Sequence, residues 1–460
     1  MKIQLIHLNS TKQEYLPIAL GQISSVLKEN GYEVDIVDTT FGMSQNKIVK
    51  RIKRFNPDII GISSMSGDFL GAISLKNSIL ENDFNIPIVL GGVHATVVPE
   101  DAIKYFDIVC IGEGEYPFLE LVNKIKGNIY DIKNFWFKKN GVVLKLPLRP
   151  VIKDLDSLPF ADREGFDYKR YLKSRNYQAD FLSGRGCVFN CNYCINYAVK
   201  KIYGTKSFVR KRSVNNLIEE IEQVQQMWKI KSINFYDDLF VYDHKWLAEF
   251  SKKYSSKIGL PFFCNSRIEF TDKRTLLLLE KGGCDQVQIG VESGSEKIRK
   301  DVLNRQMKNS QILKVFQETK RIGIKTLAYN MLGIPFETEA DIKETIDLNK
   351  AIQPDEMQVS FFTAYPGTKL YDICMKNGWM SGPVPASFLS DTNVNYPQLP
   401  KEKIKEYYRR FGFDVYFSTN PTKAMLYLIK ASLYPFYQKN RNRIPITLKR
   451  ILQLSKSLRA

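Results

Sequence analysis

Three cysteines are grouped within eight residues of this chain, as Cys187-x3-Cys191-x2-Cys194 directly after a Gly-Arg-Gly run. Thiolates are the usual protein ligands of iron–sulfur clusters and are common ligands of zinc. Three thiolates on one loop can bind three irons of a cubane and leave the fourth iron open, whereas an electron-transfer cluster is usually held by four cysteines. The spacing therefore favours a [4Fe-4S] cluster with an open, catalytic iron.

A zinc site is the alternative chemistry for this loop. Structural zinc takes a fourth Cys or His at regular spacing, and His7, His94 and His244 are far from the loop along the chain. The other four of the seven cysteines are scattered through 460 residues. This distribution indicates metal binding in a reducing compartment rather than a disulfide framework.

The residues around the loop predict alternating strands and helices from about 177 to 370. Six short apolar runs alternate with helical patterns, and the six are QADFLSG, SINFYDD, PFFCNSR, QVQIGVES, TLAYNMLG and MQVSFFT. Six β/α units suit a partial barrel of the TIM type, in which active-site groups lie on loops after the strands. We therefore expect a partial (β/α)6 core over residues 177–390.

The first part of the chain carries a second α/β pattern. Five apolar runs, IQLIHL, VDIVDT, DIIGISSM, IPIVLGG and DIVCIGE, alternate with helical segments. They predict a parallel, Rossmann-like (flavodoxin-like) domain over 1–128. Residues 129–176 are expected to be a linker with a hairpin that turns at Asn140-Gly141. Residues 391–460 are expected to form a helical, basic C-terminal region.

The cysteine loop, with Tyr193 just before its last cysteine, resembles the CxxxCxxC motif that defines the radical S-adenosylmethionine (SAM) superfamily. The resemblance implies that Cys187, Cys191 and Cys194 hold a [4Fe-4S] cluster and that SAM chelates its open iron. It also implies reductive cleavage of SAM to a 5′-deoxyadenosyl radical, by an electron from flavodoxin or ferredoxin. The protein's share is to orient SAM and to exclude competing reactions.

Further segments resemble the superfamily on successive strand ends, and they nominate SAM-binding residues. The nominated residues are Tyr193, Asp237, Arg267, Glu292, Ser293 and Gly333. Each also has an ordinary structural interpretation, such as strand-end solvation for Asp237 or a half-buried, satisfied carboxylate for Glu292. Their order on successive strands favours the functional interpretation, and it leaves the catalytic residues unassigned.

The N-terminal segments IPIVLGGVHATVVPE and FDIVCIGEGEYPFLEL resemble the cobalamin-binding domain of B12-dependent radical SAM enzymes. That resemblance nominates cobalamin-binding residues at the ends of the third, fourth and fifth strands, namely Ser63, Ser64, Gly91, Gly92, Gly112, Glu113 and Gly114. No Asp-x-His-x-x-Gly motif follows the first strand, so no lower axial histidine is expected there, and His94 is interpreted as a turn or packing residue. A scaffold or substrate-recognition domain is the alternative.

The resemblance predicts an enzyme that, with cobalamin, methylates an unactivated carbon of a small-molecule, lipid-like or natural-product substrate. A radical SAM oxidative cyclase or rearrangement enzyme, similar to the anaerobic porphyrin ring cyclase group, is the alternative within the superfamily. An iron–sulfur binding or sensor protein without catalytic activity is the alternative outside it.

The net charge of +18 is unevenly distributed, because residues 421–460 hold nine Lys or Arg and no Asp or Glu. A basic amphipathic segment is typical of contact with a membrane surface or an acidic partner, and a helical cap on the barrel explains it as well. Nucleic acid is not expected, since no RNA-binding module accompanies the charge. The N-terminus lacks a signal-peptide pattern and no apolar run could span a bilayer, so we expect a cytoplasmic protein, with peripheral contact at the inner membrane surface.

Overall fold

The computed structural model describes residues 1–82, 84–204 and 208–440. Its strands are β1 (Lys2–His7), β2 (Glu33–Asp38), β3 (Ile59–Ser63), β4 (Ile88–Gly91), β5 (Ile108–Cys110), β6 (Phe135–Lys139), β7 (Val142–Lys145), β8 (Gln178–Phe181), β9 (Gly184–Arg185), β10 (Arg210–Lys211), β11 (Ser232–Phe235), β12 (Phe262–Ser266), β13 (Cys284–Glu292), β14 (Lys325–Leu332) and β15 (Glu356–Phe361). Its helices are α1 (Ile18–Glu29), α2 (Gln45–Phe55), α3 (Phe69–Leu80), α4 (Val93–Val97), α5 (Pro99–Tyr105), α6 (Glu115–Lys124), α7 (Tyr168–Ser174), α8 (Ile195–Tyr203), α9 (Val214–Met227), α10 (His244–Lys257), α11 (Lys273–Gly282), α12 (Asn309–Ile322), α13 (Glu339–Ile352), α14 (Lys369–Lys376), α15 (Lys401–Tyr416) and α16 (Pro421–Asn440).

The chain folds into two compact units. The first contains Met1–Phe189, Cys194–Asn234 and Tyr365–Thr368, and the second contains Asn190–Tyr193, Phe235–Ala364 and the chain from Lys369 onward. The middle of the cysteine loop therefore belongs to the second unit and its two flanks belong to the first. The predicted boundaries, 1–128, 129–176, 177–390 and 391–460, stay predictions.

The sheet of the first unit has seven strands in the order β2-β1-β3-β4-β5-β6-β7. The first five are parallel, with Lys2 opposite Glu33 and Ile3 opposite Ile59. Their order, 2-1-3-4-5, is that of flavodoxin-like domains. Four consecutive residues of β1 are buried, as expected for a parallel strand covered on both faces. The predicted Rossmann-like domain is confirmed.

The hairpin predicted in the linker extends this sheet. Asn140 and Gly141 have φ angles of +49° and +79°, and a two-residue type I′ turn requires positive φ at both of its central positions. Strand β6 pairs antiparallel with β5, with Phe137 opposite Ile108. Phe135 and Phe137 are buried, so part of the segment expected to be a linker is an edge of the sheet.

The second sheet has six strands in the order β15-β14-β13-β12-β11-β8. The pairs β12–β13, β13–β14 and β14–β15 are parallel, as in the half-barrel predicted from the alternating pattern, and all six predicted strands are present. The register between β13 and β14 shifts between Gly290 and Glu292. A bulge of this kind re-aims the side chains at a strand end.

Two helices, α15 and α16, end the described part of the second unit. They pack closely at Gly412, since a Cβ atom at that position would lie 2.5 Å from Cβ of Tyr427. Both agree with the predicted helical C-terminal region, and the predicted helix in ITLKRILQLSKSL lies outside the described residues. No helix within the described residues combines the length and apolar character needed to cross a membrane.

Candidate active site

The first turn of the cysteine loop is shaped by the first unit. Gly186 has a φ of +85°, and a Cβ atom there would lie 2.4 Å from the carbonyl oxygen of Phe208. Only glycine fits such a position without strain, so the chain turns sharply just before Cys187. Cys187 and Cys191 are buried, and Cys194 is half-buried at the start of α8.

A buried lysine of α8 binds the backbone of the same turn. Lys200 is 5% exposed, and its Nζ donates to the carbonyl oxygens of Cys187, Val188 and Phe189 at 3.2, 3.1 and 3.2 Å. The loop therefore closes back on the helix that follows it. No sequence motif indicated this contact.

The middle of the loop, residues 190–193, is held within the second unit. The Asn192 backbone N–H donates to the Leu303 carbonyl at 3.1 Å, and its side-chain amide donates to the Val302 carbonyl at 2.8 Å. These carbonyls lie at the end of a π-helical turn over Ile298–Val302. Such turns are rare and are frequent at functional sites.

Arg267, which was nominated to face SAM, lies against a cysteine of the loop. Its Nη1 is 3.0 Å from Sγ of Cys191, and its Nη2 is 2.7 Å from Oε1 of Glu269. Burial would raise the pKa of Glu269, but the Arg267 guanidinium lowers it below the ordinary value. The positively charged guanidinium of Arg267 therefore lies next to the sulfur of Cys191, a candidate iron ligand.

Tyr193 and Glu292, both predicted to bind SAM, contact Arg305, which the sequence did not indicate. The Tyr193 hydroxyl is 3.0 Å from Oε1 of Glu292, and Nη1 of Arg305 is 3.0 Å from that hydroxyl and 3.1 Å from the carboxylate oxygen. Burial would lower the pKa of Arg305, but Tyr193 and Glu292 raise it above its ordinary value. Arg305 carried no motif by which the sequence could have revealed it.

The backbone of Glu292 is itself unusual. Its φ of +66° lies in the left-handed region, which costs energy for any residue with a side chain and is concentrated at functional sites. The Arg305 Nη2 donates to the Gly290 carbonyl at 2.6 Å, on the other side of the β13 bulge. The arginine thus stabilises both the strained strand end and its carboxylate.

The remaining SAM candidates, Asp237, Ser293 and Gly333, contact different parts of the second unit. The Asp237 carbonyl accepts from the Asn265 amide at 2.9 Å. Ser293 is fully buried, with its hydroxyl 3.4 Å from Oγ1 of Thr345. Gly333, with a φ of +76°, donates its N–H to Oε2 of Glu337 at 2.7 Å. Asp237 thus contacts β12, Ser293 contacts α13 and Gly333 contacts its own turn. These contacts do not bring the three together.

The cobalamin candidates lie at the carboxyl ends of β3, β4 and β5. The Ser64 N–H donates to the Gly91 carbonyl at 3.1 Å. Gly92 has a φ of +93°, and a Cβ atom there would lie 2.6 Å from the Ser64 carbonyl oxygen. Thr96, which was not nominated, donates to the Gly92 carbonyl at 2.8 Å and accepts from the Gly112 N–H at 3.0 Å. Its hydroxyl connects two of the predicted loops.

Glu113 is the centre of an ion network within the first unit. Its Oε1 is 2.9 Å from Nη1 of Arg185 and 2.8 Å from Nη1 of Arg210, and its Oε2 accepts from the Ile152 N–H at 2.7 Å. Arg185 also contacts Glu115 at 2.5 Å. Burial would lower the pKa of Arg185, but Glu115 and Glu113 raise it. Both carboxylate oxygens of Glu113 are therefore occupied by protein contacts.

The cobalamin candidate Gly112 and the histidine His94 are both packed against aromatic residues of this unit. A Cβ atom at Gly112 would overlap the hydroxyl of Tyr203, which accepts the Glu113 N–H at 2.9 Å. His94 is buried, and its ring stacks on Phe69 with centroids 3.8 Å apart. Burial lowers the pKa of His94, and Asp101 opposes that shift. The histidine thus lies in a packing contact, as interpreted from the sequence.

Within residues 1–82, 84–204 and 208–440, no three His, Cys, Asp or Glu side chains are grouped as a site for a metal ion. The assignment of the three cysteines as iron ligands stays a prediction, and so do the SAM and cobalamin assignments. The chemistry of the donor set fits an iron–sulfur cluster, because three thiols share one short loop and a guanidinium contacts one sulfur.

Two family models match the chain. Residues 5–122 match the model described as B12 binding domain, and residues 181–348 match the model described as Radical SAM superfamily. The two matched segments correspond to the two α/β patterns of the sequence.

Several curated proteins are similar to the chain. An uncharacterised methyltransferase of Pyrococcus horikoshii is 28% identical over 78% of this chain and 79% of its own length. Cytidylyl-2-hydroxyethylphosphonate methyltransferase of Streptomyces wedmorensis is 24% identical over 79% and 78%. Anaerobic magnesium-protoporphyrin IX monomethyl ester cyclase of Rubrivivax gelatinosus is 25% identical over 77% and 65%.

Solved structures share the fold at low sequence identity. The radical SAM methyltransferase TsrM from Kitasatospora setae, with cobalamin and a [4Fe-4S] cluster bound, matches with a TM-score of 0.69 and 16% identity over 82% of this chain and 75% of its own. The cobalamin-dependent SAM radical enzyme OxsB, with aqua-cobalamin bound, matches with a TM-score of 0.72 and 16% identity over 95% and 71%.

Proposed function

This chain is a radical SAM superfamily protein with an N-terminal B12-binding domain, and on that premise we propose that it is an enzyme that methylates an unactivated carbon of a small molecule. The observation that carries the proposal is the presence, in one chain, of a three-thiol loop and a B12-binding domain. Methyl transfer is supported by methyltransferases among its relatives.

The proposed cofactors are a [4Fe-4S] cluster, SAM and cobalamin. When bound, the cluster and SAM supply a radical that abstracts hydrogen from the substrate, and cobalamin supplies the methyl group. Cys187, Cys191 and Cys194 would hold the cluster, and Arg267 donates a hydrogen bond to Sγ of Cys191. Hydrogen bonds to the sulfurs are one of the factors that set the potential of such clusters. The reductant we propose is a flavodoxin or ferredoxin.

The group formed by Tyr193, Glu292 and Arg305 would orient SAM. Their mutual hydrogen bonds fix the carboxylate and the phenol before any ligand arrives, so binding does not have to order them. Glu292 keeps 12% of its side chain exposed, which leaves it able to contact a ligand. Asp237, Ser293 and Gly333 are proposed to contribute through the backbone at their strand ends.

Cobalamin would bind at the carboxyl ends of β3 to β5, where ligands of doubly wound sheets bind. Gly91 ends β4, and glycine lets the backbone approach a ligand closely. Ser63, Ser64, Gly112 and Gly114 flank this position. Glu113 would contribute its backbone only, because Arg185, Arg210 and Ile152 occupy its carboxylate.

The test is anaerobic reconstitution with iron, sulfide and hydroxocobalamin, followed by addition of SAM and dithionite. We expect an iron–sulfur absorbance shoulder, corrinoid bands that stay with the protein through gel filtration, and release of 5′-deoxyadenosine. Replacing any one of the three loop cysteines by alanine should abolish the nucleoside and lower the iron content. Cys374→Ala, at a buried cysteine outside the loop, is the matched control, and wild-type behaviour of the loop variants would refute the proposal.

An oxidative cyclase is the second candidate, and the similarity to the Rubrivivax gelatinosus cyclase favours it. The two reactions differ in their products from SAM. Methyl transfer gives S-adenosylhomocysteine and a methylated product, whereas cyclisation or rearrangement gives 5′-deoxyadenosine without S-adenosylhomocysteine. An iron–sulfur sensor without catalytic activity would release neither compound.

We also propose that the basic C-terminal region contacts an anionic membrane surface, from which a lipid-like substrate would be drawn. Met425, Ile429 and Leu433 follow one another at four-residue spacing on α16 and are 47%, 42% and 36% exposed. Residues spaced in this way share one helix face. The segment 421–460 holds nine Lys or Arg and no acidic residue, and an apolar helix face within such a basic segment is typical of contact with an anionic membrane surface.

Vesicle co-sedimentation tests this contact. Binding to vesicles that contain phosphatidylglycerol should exceed binding to pure phosphatidylcholine, and replacing Met425, Ile429 and Leu433 together by glutamine should weaken it. Met227→Gln, at an exposed methionine of α9, is the control. Equal sedimentation with both vesicle types, or with the triple variant, would remove the membrane proposal and leave the proposed chemistry unaffected.

A further inference from the structure

Lys200 is a buried cation whose partners within the described residues are backbone oxygens. It is 5% exposed, and its Nζ lies within 3.2 Å of three successive carbonyl oxygens, those of Cys187, Val188 and Phe189. Among the described residues, no carboxylate lies within ion-pair distance of it. A buried lysine without a carboxylate partner is unusual, because burial of an uncompensated charge is costly.

The geometry indicates the charged form of the side chain. An ammonium has three N–H donors, and it can therefore satisfy three carbonyl acceptors at once. A neutral amine has two N–H donors and could not donate to all three carbonyl oxygens at once. The negative ends of three carbonyl dipoles thus compensate the charge in place of a carboxylate.

The position of this charge relates it to the cysteine loop. Lys200 lies in α8, which begins directly after Cys194, and it holds the backbone of Cys187 and of the two residues that follow. The lysine therefore closes the loop between its first and last cysteines. Without it, the carbonyl groups of Cys187, Val188 and Phe189 would lose this donor, and the turn that presents Cys187 would lose a support.

We propose that Lys200 positions the cysteine loop and that its positive charge raises the reduction potential of the iron–sulfur cluster. This inference rests on the proposed function. Reduction adds an electron to a cluster that three thiolates already make negative, so a fixed cation in a low-dielectric setting stabilises the reduced state more than the oxidised state. The electron comes from an external reductant.

Three substitutions separate the two roles, with iron content and an EPR-monitored redox titration of the reconstituted protein as readouts. Lys200→Met removes charge and donors, and we expect it to retain less than half of the wild-type iron. Lys200→Gln keeps amide donors without the charge. We expect the ratio of reduced to oxidised cluster at the wild-type midpoint potential to fall about tenfold, which corresponds to a shift of about 59 mV for a one-electron couple. Lys200→Arg should resemble the wild type in both readouts.

The matched control is Lys201→Gln, at the exposed neighbour on the same helix, which should change neither readout. The midpoint is measured on the clusters present, so partial occupancy does not obscure it. A wild-type potential in Lys200→Gln would overturn the charge role, and so would an equally lowered potential in Lys200→Arg. Wild-type iron in Lys200→Met would overturn the positioning role. A wild-type chain that binds no cluster at all would instead refute the proposed function.

Discussion

At the scale of single residues, Glu113 shows how one carboxylate can hold several segments together. It follows β5, whereas Arg185 and Arg210 lie opposite each other in the β9–β10 ribbon. Like charges opposite one another on paired strands repel, and Glu113 and Glu115 compensate both. The carboxylate thus connects the loop after β5 with the residues that precede Cys187.

We predict that Glu113→Gln destabilises the protein. The change leaves two largely buried arginines with one carboxylate fewer, and breaking a buried pair costs about 3–5 kcal/mol. Because Arg185 keeps Glu115 and 20% of its side chain is exposed, we expect a loss near the lower end, about 3 kcal/mol. Urea unfolding measures it. Glu249→Gln, in the exposed pair with Lys253, should change stability by less than about 1 kcal/mol, and equal losses in the two variants would contradict the prediction.

Glu337 gives a pH-dependent prediction. Burial raises its pKa to about 8 from an ordinary 4.5, although the Gly333 and Ile334 N–H groups oppose the shift. The folded protein therefore keeps the proton that the unfolded chain releases above pH 4.5, so the stability from this group is lost as the pH rises toward 8. Relative to Glu337→Gln, the wild-type free energy of unfolding should fall with pH by up to about 1.4 kcal/mol per unit. A difference that does not change with pH would contradict this assignment.

At the scale of elements, the close contact between α15 and α16 depends on a glycine, Gly412, which has no side chain to separate the two helices. A methyl group at Gly412 would lie within 2.7 Å of Cβ, Cγ and Cδ1 of Tyr427. Tyr427 also donates to the Met357 carbonyl of β15 and accepts the Met357 N–H. The ring is therefore fixed from two sides and cannot move aside without breaking the contact with β15.

We predict that Gly412→Ala weakens the packing of α16. Alanine favours a helix over glycine by about 1 kcal/mol, but overpacking costs about 1–3 kcal/mol, and we expect the steric term to prevail. The variant should melt at lower temperature and be cut faster by protease near residues 417–420. Gly71→Ala is the matched helical control, since nothing lies within 4 Å of its added Cβ. It should be neutral or stabilising, and a similar loss there would point to a general effect of alanine.

At the scale of the whole molecule, the chain divides into two units whose boundary passes through the cysteine loop. Lys200 and the glycine turn fix its beginning in the first unit, and Asn192 with Arg267 fix its middle in the second. A ligand of the first unit should therefore stabilise a part of the chain that includes Cys187.

We predict that hydroxocobalamin raises the thermal unfolding midpoint of the cluster-free protein. A ligand that binds only the folded state stabilises it by about 2.7 kcal/mol at a hundredfold excess over its dissociation constant. The midpoint should rise with the logarithm of the cobalamin concentration, as followed by calorimetry. Adenosine triphosphate, a nucleotide without a corrin ring, serves as the control. A midpoint that does not change at any cobalamin concentration would contradict binding.

Features that depend on residues close together along the chain could be predicted from the sequence alone. The cysteine spacing, the strand and helix periods and the Asn140-Gly141 turn are local patterns, and the fold and family that they predict are confirmed. The side-chain partners were decided by the tertiary structure. Glu113 meets Arg185 and Arg210, and Arg305 meets Tyr193 and Glu292, only because the fold brings distant segments together. The free energy of such contacts depends on burial and geometry, which no local pattern encodes.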